Sequence, residues 1–443
     1  MSEWTRTCDP SGEGGSPAAP AEPNPGVADF ADKCRTASCR SCGQAGLEPV
    51  LDLGMMPLSD GFVPAERLAE PDERFALDVA FCPACGLMQI LETVPPEKLF
   101  CEDYPYYSSF SDTLLAHSRE NALELIEGRG LGRDSFVVEV ASNDGYLLRN
   151  FVERGIEVLG IDPAEGPARA ARSRGVPTTC AFFGKELARS LREERGPADV
   201  LLANNVLAHV ADTNGFVQGI RTLLADDGVA VIEVPYVRDL IDHGEFDTIY
   251  HEHLCYFSVT ALDHLFRRNG LFLNDVRRLS IHGGSLRLYV ERVERVGERV
   301  REMLAAERRD GLDQPAYYRG FARRVETFRG QMRALLADLK ERGARLAAYG
   351  AAAKGTIMLN YIGVDADTIE FVVDRNVHKQ GKYVPGVRIP IAPTEALLER
   401  RPDYTLILAW NFKDEIMRQQ AAYADAGGRF IVPIPQPEIV AGA

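Results

Sequence analysis

Along residues 136–234, short apolar and β-branched runs alternate with longer stretches of mixed polarity. The apolar runs are 136–140, 156–161, 198–203 and 229–234. Runs of that length separated by helical-length stretches predict βαβ units and a parallel sheet. Beyond residue 293 the alternation stops. A run rich in Arg and Glu continues to residue 342 and reads as a solvated linker helix. The alternation restarts at 346–350 and returns at 369–374, 404–409 and 429–433, which predicts a second, smaller α/β domain. Upstream, residues 34–98 are Pro-rich with two cysteine pairs, and residues 1–33 read as a disordered tail. The expected fold class is α/β: a tail (1–33), a small N-terminal domain (34–98), a central Rossmann-like domain (99–300) and a C-terminal Rossmann-like domain (301–443).

Composition narrows the function classes. With 443 residues, 45% hydrophobic and 26% charged, the chain suits a soluble protein of several domains. Its net charge of −15 argues against nucleic acid or an anionic membrane as partner, since both need clustered Lys and Arg. No run approaches the roughly 18 apolar residues of a membrane helix. The N-terminal stretch has no apolar signal-peptide core, so a cytoplasmic monomer is expected. Nine cysteines, an odd number, make a disulfide scaffold a poor explanation.

Four of those cysteines form two C-x₂-C knuckles, Cys39/Cys42 and Cys82/Cys85, each followed by Gly. Four thiolates suit tetrahedral zinc, and a closed four-cysteine site does no chemistry, so one structural zinc is expected. Free buried cysteines or a redox pair are the alternatives. A small sheet is expected between the knuckles. The first α/β domain opens with Glu139, then Ser142-Asn143-Asp144-Gly145, a strand end and tight turn entering a helix. One Gly is too few for a dinucleotide fingerprint. The pattern fits an S-adenosylmethionine (SAM) site, with Asp162-Pro163 closing the next strand toward the ribose and Asn204 closing the third.

Titratable and aromatic residues cluster in Tyr250-His251-Glu252-His253, and tyrosines in Tyr104-Pro-Tyr106-Tyr107-Ser108. His282-Gly-Gly-Ser285 is a polar turn between strand-like stretches. In the C-terminal domain, Lys354 lies in a small-residue turn that opens a helix, and Asn376, His378 and Lys379 follow the next strand. A pyrophosphate suits that edge, a solvated loop being the alternative.

Taken together, the C-x₂-C pairs, Tyr104-Pro-Tyr106, Ser142–Gly145, Tyr250–His253, His282–Ser285 and the Lys354 turn resemble the SAM-dependent C-methyltransferases of deoxysugar biosynthesis. The resemblance covers nearly the whole chain from Cys39. It implies a zinc-binding domain, a central SAM domain and a C-terminal Rossmann-like domain, with a nucleotide sugar held between the last two. It implies His253 as catalytic base, with Tyr250 and one of Tyr104 or Tyr106 as auxiliary tyrosines. Glu252 then orients the base or holds substrate, and Ser108, His282, Lys354, Asn376, His378 and Lys379 contact the sugar nucleotide. The expected reaction is C-methylation, at C-3 first, of a dTDP-linked 4-keto-deoxysugar for antibiotic glycosides. An O- or N-methyltransferase, or a nucleotide-sugar oxidoreductase or epimerase, is the alternative.

Overall fold

The computed structural model describes residues 25–99 and 107–441. Tyr104 and Tyr106 lie outside the described residues. The first described element is a helix, Pro25–Thr36, which overlaps the end of the stretch expected to be a disordered tail. Phe30 and the fully buried Cys34, four residues apart on one helical face, pack into the core, and Lys33 reaches Asp78 at 3.5 Å.

Strands Glu48–Pro57, Arg74–Phe81 and Met88–Ile90 form an antiparallel sheet between and around the cysteine pairs. Its fourth strand comes from far along the chain: Cys255–Tyr256 pairs with Gln89 and Met88. The second knuckle is the turn joining the last two local strands. Gly43 and Gly86 adopt φ +74° and +76°, and each N–H returns to the carbonyl of the first cysteine, at 2.9 and 2.8 Å. All four sulfurs lie within 4.8 Å of one another, with Cys39–Cys85 at 3.5 Å and Cys42–Cys82 at 3.6 Å. A tetrahedral zinc with Zn–S of about 2.3 Å needs sulfurs about 3.8 Å apart, so the cluster fits.

The central sheet has seven strands. In chain order they are Phe136–Val140, Glu157–Asp162, Thr178–Cys180, Ala198–Asn204, Leu224–Pro235, Phe272–Leu279 and Ser285–Glu291. Numbered that way, they run 3-2-1-4-5-7-6 across the sheet, and only the seventh is antiparallel to its neighbours. The order reverses between strands 1 and 4, where an open α/β sheet forms its ligand crevice. The last two strands are a hairpin turned by residues 281–284.

The C-terminal sheet runs Ile391–Ala392, Val372–Val373, Leu346–Tyr349, Tyr404–Ile407, Arg429–Val432 and Glu438–Val440. In chain order this is 3-2-1-4-5-6, the dinucleotide-fold arrangement, with an antiparallel last strand. Its crevice opens between the Gly350 turn and the Ala409–Trp410 turn. A Cβ on Gly350 would sit 2.9 Å from that of Ala409, so only glycine lets the turns approach.

The charged run is not a solvated linker. Helices Glu298–Asp310 and Phe321–Glu341 bury Val300, Phe321, Val325, Phe328, Met332, Leu336 and Leu339. Those on the longer helix recur every three or four residues, an amphipathic stripe set among many charges. Glu307 is fully buried. It accepts from the Val259 and Thr260 amides at 2.8 Å, the Thr260 hydroxyl at 2.6 Å and the Tyr236 hydroxyl at 2.8 Å, and so caps helix Val259–Arg268 from a distance.

Purified protein is expected to carry one zinc per chain, and Cys39→Ser to lose it. A structural zinc contributes folding energy directly, so the variant melts well below wild type. Metal analysis and a thermal melt check this; full stability without metal would contradict it.

Candidate active site

The first crevice is lined by buried polar atoms that lack a hydrogen-bond partner among the described residues. Glu139 closes the strand core with neither oxygen hydrogen-bonded, and Ser142 Oγ, Asp144 Oδ1 and Asn204 Oδ1 are likewise buried and unpartnered among the described residues. Burial, with Asp162 and Asp144 nearby, raises the Glu139 carboxyl well above its ordinary range. Ala141 and Asn143 take left-handed φ of +57° and +49°, and Gly145 has φ +77°. A Cβ on Gly145 would lie 2.9 Å from Val176. The donors that such a pocket lacks are those of a SAM molecule, an α-ammonium and ribose hydroxyls, so these residues fit the cofactor.

Asp162 has a second duty. Its Oδ2 accepts the Asn143 amide and its Oδ1 the Ala164 amide, both at 2.9 Å, so it braces the turn it faces. Burial pushes its carboxyl up to about 6. Pro163, next in line, accepts the Cys180 thiol at 3.4 Å. Ser108 is buried against the same turn, its amide donating to Asn143 Oδ1 at 2.8 Å, so it contacts the cofactor loop. Ser109 and Arg174 hold Asp144 Oδ2.

The Tyr250–His253 segment leaves this crevice toward the C-terminal domain. His253 Nδ1 bonds the Thr248 carbonyl at 2.9 Å. A carbonyl can only accept, so Nδ1 carries the proton and Nε2 holds the free lone pair. Tyr250 donates its hydroxyl to Nε2 at 2.9 Å and stacks on the ring with centroids 4.0 Å apart. His209 meets the ring edge-on at 4.7 Å, and Tyr256 at 6.4 Å. Burial, then the His209 ring, lowers the His253 pKa well below its ordinary 6.5. Lys354 and His282 add to this, and the Thr248 carbonyl opposes it. The imidazole is therefore neutral near pH 7, as a base must be.

Glu252 points elsewhere. It accepts the Ser59 hydroxyl at 2.9 Å, and burial together with Asp60 raises its carboxyl to about 7. The His253 ring is oriented by Thr248 and Tyr250, and Glu252 ties the segment to the zinc domain. His251 is fully buried, bonded to the Ala76 carbonyl at 3.2 Å and edge-on to Phe75, a packing role.

His282 takes φ +59° in a turn seated on carboxylates. A Cβ on Gly283 would lie 2.7 Å from Glu245 and one on Gly284 2.2 Å from Asp239. His282 meets Phe412 of the C-terminal domain at 6.1 Å. Lys354 opens helix Ala353–Ile362, with its ammonium bonded to Asn411 Oδ1 at 2.8 Å and 4.2 Å above the Trp410 ring. Asn376 is buried beside Asp374, Lys379 is buried against the Ala351 carbonyl at 2.7 Å, and His378 is exposed and stacks on Tyr107 at 5.0 Å. Lys379 thus supports the Ala351 turn.

Several residues of the site carried no sequence signal. Asp247 is fully buried and accepts the Trp410 indole N–H at 2.8 Å. His209 ends the polar stretch that follows strand Ala198–Asn204, at the ligand-binding edge of the sheet, but nothing in the sequence marks it as a neighbour of His253. Glu233, paired with Arg287 at 2.7 Å and with His117 at 3.0 Å, lies near the C-terminal end of its strand, opposite Asn204. Only their partners across space reveal them.

Three family models cover the chain in order: a zinc-binding domain over residues 39–100, a methyltransferase domain over 110–274 and a C-methyltransferase C-terminal domain over 280–435. A C-methyltransferase, NovU of Streptomyces niveus, is 37% identical over 405 residues, which is 91% of this chain and 96% of that protein. The chain therefore belongs to the C-methyltransferase family, SAM-dependent enzymes with a zinc-binding N-terminal domain. A ubiquinone biosynthesis O-methyltransferase of Acinetobacter baylyi is 27% identical over 164 residues, 32% of this chain and 66% of that one. Among solved structures, the 1,6-didemethyltoxoflavin N1-methyltransferase of Burkholderia thailandensis matches at 19% identity and TM-score 0.34, over 47% of this chain and 96% of its own. A score that low adds nothing to the fold described above. No helix among the described residues is long and apolar enough to cross a membrane.

Because the His253 pKa is depressed, lowering the pH leaves its imidazole unprotonated until well under 6.5. The acid limb of kcat/KM is expected below pH 6.5. A limb near 7 would instead follow Glu252, whose carboxyl sits at about 7.

Proposed function

We propose that the chain methylates carbon beside the ketone of a dTDP-linked 4-keto-deoxysugar, C-3 foremost, for deoxysugar assembly in antibiotic biosynthesis. One observation carries this reading. A neutral imidazole with its Nδ1 proton pinned to Thr248 stands between two Rossmann-like crevices. Oxygen or nitrogen nucleophiles need no carbon-acid base, whereas a ketone's neighbouring carbon does. The relative's printed name, a C-methyltransferase, supports the same choice.

His253 Nε2 takes the carbon-bound proton. The C–H pair becomes the C=C bond of an enolate, and the carbonyl π pair moves to oxygen. The enolate carbon then attacks the methyl group that SAM supplies when bound, the C–S bond breaks toward sulfur, and the ketone re-forms. Tyr250, bonded to Nε2 before substrate arrives, is released to donate elsewhere once that lone pair is used. The sugar nucleotide occupies the C-terminal crevice, with Asn376 and His378 at its rim. Holding both ligands across one cleft supplies proximity.

The test separates proton removal from methyl transfer. Enzyme, ketosugar and S-adenosylhomocysteine are incubated in D₂O, and exchange of the proton next to the ketone is followed by NMR. Wild type is expected to exchange it. His253→Asn is expected to lose about 10²–10⁴-fold while S-adenosylhomocysteine still binds, and His251→Asn to lose far less. Undiminished methylation by His253→Asn would favour an O- or N-methyltransferase.

A further inference from the structure

Lys354 sits in surroundings unlike those of a diphosphate ligand. It stands at the reversal point of the C-terminal sheet, in the first turn of a ten-residue helix. Asn411 takes one of its three N–H donors at 2.8 Å, and the Trp410 ring covers another side at 4.2 Å. Two carboxylates, Asp247 and Glu245, lie close enough to interact electrostatically with the ammonium. Burial raises Glu245 to about 8 and Asp247 to about 6, Lys354 opposing in both cases. Burial lowers the Lys354 pKa while Asp247 and Glu245 oppose it, so the ammonium's charge is offset from within the cluster, a poor seat for a diphosphate.

The same cluster is tied to the base by one short turn. Trp410 Nε1–H donates to Asp247 Oδ2 at 2.8 Å, and Asp247 belongs to the turn Phe246–Thr248. The carbonyl of Thr248, the next residue, accepts from His253 Nδ1. Phe412, in the turn that also holds Trp410 and Asn411, meets His282. Lys354, Tyr250, His253 and His282 are each partly exposed, and Lys354 and His282 lie near enough to His253 to lower its pKa.

We propose that Lys354 is a catalytic residue that meets the negative charge developing on the substrate's carbonyl oxygen, and that Asp247 and Trp410 are positioning residues that hold its ammonium beside His253. This rests on the enolate reading above. As His253 takes the proton, the pair that leaves the carbonyl bond settles on oxygen, and the remaining Lys354 N–H donors face that charge. When the carbon takes the methyl group, the pair returns and the ammonium is left as it began. The diphosphate falls to the exposed rim, where the ion pairs of Arg375 among the described residues are long, 3.9 Å to Asp112 and 3.6 Å to Glu415.

The experiment compares full-length wild type, Lys354→Met, Trp410→Phe and Arg375→Ala. It measures dTDP affinity by calorimetry and ketosugar proton exchange in D₂O at saturating sugar with S-adenosylhomocysteine, whose own binding reports folding. Lys354→Met is expected to lower exchange by about 10²–10³-fold, the loss typical of one oxyanion donor, while dTDP affinity moves less than about threefold. Trp410→Phe keeps the charge and the ring but drops the indole N–H, so exchange falls about tenfold with dTDP binding kept. Arg375→Ala is expected to weaken dTDP and leave exchange at saturation near wild type. If Lys354→Met weakens dTDP tenfold or more and saturated exchange is intact, Lys354 belongs to the diphosphate and the proposal falls. Should Lys354→Met fail to fold, wild-type exchange by Trp410→Phe overturns it equally. Wild type that binds dTDP and exchanges no proton would instead remove the enolate reading itself.

Discussion

The hydrogen bond from His253 Nδ1 to the Thr248 carbonyl is the constraint on which the site turns. It fixes the tautomer and aims Nε2 into the cleft. It holds only if the turn Phe246–Thr248 and the segment after it stay put, and all three domains see to that. Cys255–Tyr256 pairs into the zinc-domain sheet. Phe257 bridges to Tyr236 at the end of the central sheet. Asp247 takes the indole of Trp410 from the C-terminal domain. The central residues of the site are thus owned by no single domain.

The two Rossmann-like units solve one local problem in the same way. Each places an aspartate at the end of its second strand, Asp162 as the last strand residue and Asp374 just after Val373. In both, Oδ2 accepts an amide from the turn after the first strand (Asn143 or Ala351), and Oδ1 accepts the amide two residues on (Ala164 or Asn376). The carboxylate trades water for two fixed N–H groups, which keeps the turn open without a ligand. In the central domain the turn then faces orphaned acceptors, and in the C-terminal domain it leads to Lys354 and the indole.

What the sequence made legible was local. Apolar runs such as Phe136–Val140 declared strands, and the spaced cysteines with their glycines declared a metal knuckle, because each carries its chemistry within a few residues. The charged helices misled because Glu307 and the Phe321–Leu339 stripe are buried among many arginines, and residue counting weighs the charges more. Cys255–Tyr256 gave no strand signal at two residues long. Glu252 sits beside His253 in sequence yet turns toward Ser59, since the segment there is a tight turn in which the His253 amide returns to the Tyr250 carbonyl at 2.8 Å. A backbone acceptor such as the Thr248 carbonyl has no residue type to announce it. Trp410 and Asp247, 163 positions apart, become a pair only once the chain is folded.

One apolar core runs without a break from Cys34 and Phe81 through Ile232 and Phe246 to Val325, Ile357 and Ile431. The three sheets are therefore not interchangeable modules in the way that beads on a linker are. Recombining such enzymes at their domain borders would cut through shared packing, and a grafted half would bring side chains shaped to a partner it no longer meets. Novelty in this architecture has to come from residue changes at the cleft walls, where shape can vary without disturbing the joint interior.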